Sequence, residues 1–364
     1  MNELDEILVA AARAAERSEP VALATVVSVK GSSYRRPGAR LLVPAEGAPI
    51  GLISGGCLEE EAARLAREAI RTDTSLLVTI DHSTEGDELW GMGLGCRGVI
   101  DLLAEPPAMA IDTIGALREA RSGSPSYLLT EVGGDRRHLS EAEAAALGER
   151  ASAAVAHGRP VLIGESVLDP ILPPLHLAIC GAGPDAGPLA AAGIRMGWRV
   201  SVIDPRRSLL RPERFPNAEL RQLDPRGAAD GIGADTWTAV IVMSHDYVRD
   251  GEFLAGFLRR RVGYLGVLGP RERTDRLVAE FDDRPAPGDA PSLHAPAGLD
   301  IGADGAEEVA TAIVAEILSV VRGGTGLPLR DRPGPIHHAG AAQPPMKDIS
   351  TFGRSTVSSV RSSE

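Results

Sequence analysis

The chain has 364 residues, 43 % of them hydrophobic, enough for two or three domains each with a sizeable core. A net charge of −12 and an aromatic content of 3 % argue against the basic faces and stacking platforms that nucleic-acid binding uses. No run approaches the roughly 18 apolar residues of a membrane span. The three scattered cysteines, Cys57, Cys96 and Cys180, form no disulfide framework and predict a reducing, cytoplasmic setting.

In chain order, Leu4, Ile7, Leu8 and Ala11 recur at helical spacing in a segment charged with both signs, which predicts a first helix and not a secretory leader. Val21 to Val29 reads as a buried strand, Lys30 to Gly38 as a loop, and Ala39 to Val43 as the next strand. Lys30, Arg35 and Arg36 share that loop with Gly31, Ser32 and Ser33, so cations, hydroxyls and open amides suit a phosphate; a solvated basic turn is the plain alternative. Ile50 to Ile53 leads into Ser54-Gly55-Gly56-Cys57, which opens a helix carrying Leu58, Ala62, Leu65, Ala66 and Ala69.

Cys57 therefore lies near a helix N-terminus, which favours thiolate, although Glu59, Glu60 and Glu61 oppose ionisation. Leu76 to Ile80 and Gly98 to Leu103 read as strands with a loop from Asp81 to Gly95 between them. Cys96, in Gly93-Leu94-Gly95-Cys96-Arg97-Gly98, repeats the glycine setting of Cys57. Glycine removes neighbouring side chains and exposes amides, so the two thiols suggest a soft-ligand or sulfur-handling site, against the simpler reading of small buried side chains. Cys180 ends an apolar strand and reads as core, and no zinc spacing is present.

Pro170 to Pro174 marks a boundary, because three prolines in five residues interrupt regular structure. Beyond it, Leu175 to Cys180, Val200 to Asp204, Ala239 to Ser244 and Tyr264 to Leu268 alternate with helical stretches, the pattern of a doubly wound parallel sheet. Gly181-Ala182-Gly183-Pro184-Asp185-Ala186 follows the first of these strands as a GxGxxA turn, and Asp204 ends the second. A pyrophosphate could rest on Gly181 and Gly183 while Asp204 binds a ribose diol; Arg206 and Arg207 beside it would instead suit a 2′-phosphate. His245 and Arg271 follow the third and fourth strands and gather at the same sheet edge, His245 also admitting the reading of a loop histidine satisfied by carbonyls. Asp304 is expected to cap the last helix, near Gly305. The chain thus reads as α/β: a mixed α/β domain over residues 1–170, a Rossmann-like doubly wound domain over 171–323, and a disordered Pro/Gly/Ser-rich tail over 324–364.

Several motifs in one order resemble the XdhC/CoxI family. They are Gly31 to Arg40, Ser54 to Glu59, Gly93 to Gly98, Pro173 to Ala186, His245 to Asp250, Tyr264 to Arg271 and His294 to Gly302. Tyr34, Arg97 and Pro184-Asp185 depart from the family pattern, the last putting a catalytic role for that turn in doubt. The resemblance implies a chaperone that binds molybdenum cofactor in its molybdopterin form. It implies protection of the cofactor during sulfuration by a cysteine desulfurase and delivery to the apo large subunit of a xanthine dehydrogenase or carbon monoxide dehydrogenase type enzyme; a homodimer is expected. The cofactor would contact Lys30, Ser32, Ser33, Arg35, Arg36, Gly55, Gly56 and Gly95, with Cys57 and Cys96 facing molybdenum. The rival readings are an NAD(P)-dependent oxidoreductase built on Gly181, Gly183, Asp204 and His245, and a scaffold whose Rossmann half only docks the target enzyme.

Overall fold

A computed structural model describes residues 3–31, 35–56, 58–81, 98–280 and 292–331. The tail read over 324–364 lies outside them from residue 332 onward. The described residues fall into two compact units, one of residues 3–174 and 328–331 and the other of residues 175–327.

The first unit opens with α1 (Glu3–Glu16), β1 (Val21–Gly31), β2 (Arg40–Pro44), β3 (Ile50–Gly51), α2 (Glu59–Thr72), β4 (Leu76–Asp81), β5 (Gly98–Glu105) and α3 (Pro107–Arg121). The strands form an antiparallel sheet in the order β3-β2-β1-β5-β4. β1 is apolar at consecutive positions because both its faces are covered. Ala22, Ala24 and Val26 pack against Ala62, Leu65 and Ala66 of α2, while Val21 and Leu23 meet Ile7 and Ala11 of α1 and Ile114 of α3.

The unit continues through β6 (Ser126–Glu131), β7 (Arg136–Leu139), α4 (Glu141–Ala145), α5 (Glu149–His157), β8 (Val161–Ile163) and β9 (Ser166–Ile171), whose strands form a second antiparallel sheet, β7-β6-β9-β8. Two buried ion pairs link the sheets. Arg40 of β2 reaches both oxygens of Asp169 on β9 at 2.8 and 3.0 Å, and Arg136 of β7 meets Glu105 of β5. Pro170, expected to interrupt regular structure, lies inside β9 opposite Tyr127. β8 ends its pairing with β9 at Leu168, so on that side Pro170 has no ladder bond to forfeit.

The second unit runs β10 (His176–Cys180), α6 (Ala186–Arg195), β11 (Arg199–Ile203), β12 (Glu219–Arg221), α7 (Ala228–Gly231), β13 (Thr238–Val242), α8 (Tyr247–Leu258), β14 (Tyr264–Val267), α9 (Arg271–Ala279), β15 (Leu293–His294) and α10 (Ala306–Arg322). All six strands are parallel, in the order β12-β11-β10-β13-β14-β15. Counted within the unit this is 3-2-1-4-5-6, the strand order of dinucleotide-binding sheets, and its direction of winding reverses between β10 and β13. Alternate residues serve the two faces. Leu177, Ile179, Val200 and Ile241 pack under α6 and α10, while Ala178, Cys180, Val240 and Val242 pack under α7, α8 and α9.

The start of the last helix differs from the expectation. Gly305, at φ +84°, caps α10, and the Asp304 amide donates to Glu308 Oε2 at 2.8 Å, so Asp304 is itself held by the helix and does not cap it. The edge strands β12 and β15 have no counterpart in the sequence reading. Glu219-Leu220-Arg221 is polar at alternate positions and β15 is two residues long, so neither carries an apolar run.

Candidate functional site

In the second unit the loop Gly181 to Asp185 joins β10 to α6 at the switch point. Gly181 has φ +120°, and a Cβ there would lie 2.5 Å from Ser244 Cα and 2.7 Å from Met243 O. The backbone following β10 therefore touches the backbone leaving β13, which only glycine permits. Ala186 is fully buried where α6 meets the sheet.

Asp204 is in the expected place but faces inward. Its carboxylate is 0 % exposed, accepts the Ala182 amide at 2.9 Å and the Arg206 amide at 2.8 Å, and forms a bidentate pair with the Arg206 guanidinium at 2.9 and 2.8 Å. Burial raises its pKa, but these donors outweigh burial and hold it below the usual carboxylate range. This corrects the reading of Asp204 as the ribose ligand: its acceptor positions are already committed to the loop. Arg214 donates to the carbonyls of Ala182, Leu209 and Gly183 at 3.0, 3.1 and 2.8 Å, fixing the loop from the other side.

His245 stands opposite, half exposed, with φ +58° and Nε2 3.1 Å from Asp185 Oδ2. The conformation is an uncommon one for a residue with a side chain, and the segment before it is over-determined. Asp250, buried in the first turn of α8, accepts Ser244 N at 2.9 Å and Ser244 Oγ at 2.6 Å, and pairs with Arg273 of α9 at 2.7 Å. Gly183, Gly187, Arg206, Arg214, Ser244 and His245 line an open cleft of about 680 Å³. Arg271 is exposed on the first residue of α9 and is not among the cleft residues.

Sequence reasoning missed Asp250, Arg273 and Arg214. Asp250 had a signal: with Phe253, Leu254, Phe257 and Leu258 it lies on the apolar stripe of α8, and an acid on such a stripe needs a buried partner. A second missed cluster anchors α10. Tyr264 donates to Glu316 at 2.6 Å, Glu316 also accepts the Gly298 amide at 2.7 Å and meets His294 Nδ1 at 3.2 Å, and the Tyr264 and His294 rings stack at 4.4 Å. Gly266 is bare because the Tyr264 ring occupies its side-chain space.

In the first unit the turn before α2 is organised by Glu59. Its Oε1 accepts the amides of Ile53 and Ser54 at 3.2 and 2.8 Å, and its Oε2 accepts Ser54 Oγ at 2.5 Å and the Leu58 amide at 3.2 Å. Burial raises the Glu59 pKa, and the Ser54 bonds more than offset it, leaving the carboxyl below its ordinary value. This carboxylate is therefore spent on the turn. Gly55 and Gly56 are exposed, Gly56 at φ +110°, and a Cβ on either would meet nothing within 4 Å. The amide backbone here is open to a guest.

Glu3 brings the second predicted loop to this turn. Its Oε2 pairs with Arg35 at 2.7 Å while its Oε1 accepts the Leu52 amide at 3.1 Å. Arg35 is thus a tie between loops. Lys30 is exposed at the end of β1 and Arg36 is half-buried in the β1–β2 loop. Ser32, Ser33, Cys57, Gly95 and Cys96 lie outside the described residues, as does the loop read from Asp81 to Gly95 beyond its first residue. Cys180 is fully buried in β10, and burial drives its thiol pKa well up, as expected of a core residue. Among the described residues no group of three or more His, Cys, Asp or Glu is arranged to hold a metal ion, and no helix is long and apolar enough to cross a membrane.

The fold and its two sites define a two-unit α/β protein with a Rossmann sheet as its second half. Residues 177–317 match the XdhC Rossmann domain and residues 14–81 match the XdhC and CoxI family. A Bacillus subtilis protein named as a probable xanthine dehydrogenase subunit is 32 % identical over 321 residues, 83 % of this chain and 94 % of that protein. The molybdenum cofactor insertion chaperone PaoD of Escherichia coli is 24 % identical over 299 residues, 82 % of each chain. A crystal structure described as a xanthine dehydrogenase from Bacillus halodurans superimposes with a TM-score of 0.70 at 27 % identity, covering 89 % of this chain and 96 % of that one. The chain belongs to the XdhC and CoxI family.

Proposed function

We propose that the chain is a cytoplasmic maturation chaperone for a molybdoenzyme, binding molybdenum cofactor as cargo and handing it to the apoenzyme. The observation that carries this reading is the gathering of two loops by Glu3, which joins the cationic β1–β2 loop to the open Gly55-Gly56 turn. A pterin dithiolene with a phosphate needs a cationic anchor and bare backbone against which a bulky ligand can lie. Lys30 and Arg36 would supply the anchor, with Ser32 and Ser33 beside them, while Arg35 positions the loop through Glu3. Gly55 and Gly56 would supply the contact surface, and Cys57 and Cys96 would face the metal as soft ligands or relay sulfur. The PaoD relationship supports the same role.

Within this reading the finer expectations are sulfuration of the bound cargo by a cysteine desulfurase, service to a xanthine dehydrogenase or carbon monoxide dehydrogenase type enzyme, and action as a homodimer. The NAD(P)-dependent oxidoreductase reading is less well supported, because the carboxylate meant to bind the ribose is sealed by Arg206. The test is transfer. Apo-molybdoenzyme incubated with cargo-loaded protein should gain activity faster than with free cofactor, and an equal rate would remove the chaperone role.

A further inference from the structure

The two glycines of the β10–α6 loop are there for different reasons. Gly181 is dictated by the fold, through its φ of +120° and the 2.5 Å approach to Ser244 Cα. Gly183 is not: its φ is outside the positive range, and a Cβ would sit 3.5 Å from His245 Cδ2, an ordinary contact. An alanine would fit the protein here, so the bare backbone at 183 leaves room for something that enters the cleft. What lines that room is cationic. The Nε and Nη2 atoms of Arg206 bind Asp204, its Nη1 makes no bond among the described residues, and the side chain is 38 % exposed. A ligand therefore meets the guanidinium and not the buried carboxylate. Arg214 occupies the Ala182 and Gly183 carbonyls, the acceptors that would repel an anion. The nearby acids are engaged, Asp185 with His245 and Asp246 as the cap of α8 and partner of Arg249.

We propose that this cleft is a binding site for a phosphate monoester, seated over Gly183 between Arg206 and His245. An arginine with N–H donors still available matches the doubly charged, oxygen-rich end of a monoester better than a ribose diol or a singly charged diester. The inference does not rest on the cargo reading, since the site belongs to the second unit alone. Two sources share this chemistry, a nucleotide bearing an extra phosphate and a phosphorylated pterin.

The experiment is calorimetric titration of the full chain with NAD, NADP and a pterin monophosphate. NADP or the pterin monophosphate should bind at least tenfold tighter than NAD, which has a diphosphate but no monoester; whichever does so and is weakened by Gly183→Ala identifies the source, because a pterin held on Lys30 and Arg36 of the first unit would bind that variant unchanged. Gly183→Ala should weaken that ligand tenfold or more with an unchanged thermal midpoint, and Arg206→Gln should erase the preference over NAD. Equal binding of all three probes, no binding at millimolar concentration, or wild-type affinity in folded Gly183→Ala would overturn the proposal.

Discussion

Replacing Asp250 with alanine tests whether one buried carboxylate holds the switch-point loop of the second unit. Asp250 is 1 % exposed and accepts three donors, Ser244 N, Ser244 Oγ and Arg273 Nη2, at 2.9, 2.6 and 2.7 Å. Removing one partner of a buried ion pair costs about 3–5 kcal/mol, and each orphaned hydrogen-bonding group about 1–3 kcal/mol. The Arg273 side chain retains 20 % exposure, so water relieves part of its loss and the low end, about 3 kcal/mol, is expected. With a urea slope of about 2 kcal/mol per molar, the unfolding midpoint should fall by roughly 1–2 M. Asp250→Asn keeps the shape but presents an amide where Arg273 needs an acceptor, and should lose about half as much. In a double-mutant cycle with Arg273→Met the coupling should exceed about 1.5 kcal/mol. A loss under about 1 kcal/mol for Asp250→Ala, or additive single variants, would mean that the loop is held by other contacts.

Other outcomes follow from the same geometry. Gly181→Ala should destabilise the second unit by about 2–5 kcal/mol, combining the wrong φ with a backbone collision, and differential scanning calorimetry would register it. His176 is buried against Arg199, and burial first, then that guanidinium, lowers its pKa from 6.5 to about 4. The unfolded chain then takes up a proton between pH 6.5 and 4 that the folded chain refuses. This contribution is full above pH 6.5, is lost as pH falls toward 4, and on the order of 3 kcal/mol should disappear from the acid slope in His176→Gln, read by urea titrations across that range. Glu59, whose folded pKa lies below its unfolded value of 4.5, contributes stability present above pH 4.5 and lost on further acidification; hydrogen exchange at the Ser54 and Leu58 amides should accelerate there relative to the trend in Glu59→Gln. Gly55→Ala meets nothing within 4 Å, so its stability should stay within about 0.5 kcal/mol of the wild type while cargo retention drops.

The sequence was most legible where one physical cause sufficed. Apolar runs such as Val21 to Val29 and Leu175 to Cys180 predict strands, and the Gly181 to Ala186 pattern predicts the tight turn after the second of them, because both signals are local. What escaped was decided by which way a side chain turns, toward neighbours near in the chain as often as toward distant ones. Asp204 reads as a ribose ligand until Arg206 and the Ala182 amide are seen to take its acceptors, and Arg35 reads as a phosphate ligand until Glu3 is seen to hold it. Glu59 reads as an ordinary first-turn acid, yet its carboxylate folds back to organise the turn before α2. Asp169, paired with Arg40 from 129 positions away, has no local signal.

Whether this protein carries molybdenum cofactor is tested most directly by analysis of the bound cargo. Protein purified anaerobically from a cofactor-producing host should contain molybdenum and pterin in equal amounts, approaching one of each per folded chain. Cys57→Ser and Cys96→Ser should each retain less, because a hydroxyl is a poor ligand for a soft metal. Folded wild-type protein free of both molybdenum and pterin, from a host whose other molybdoenzymes are loaded, would rule out the cargo role.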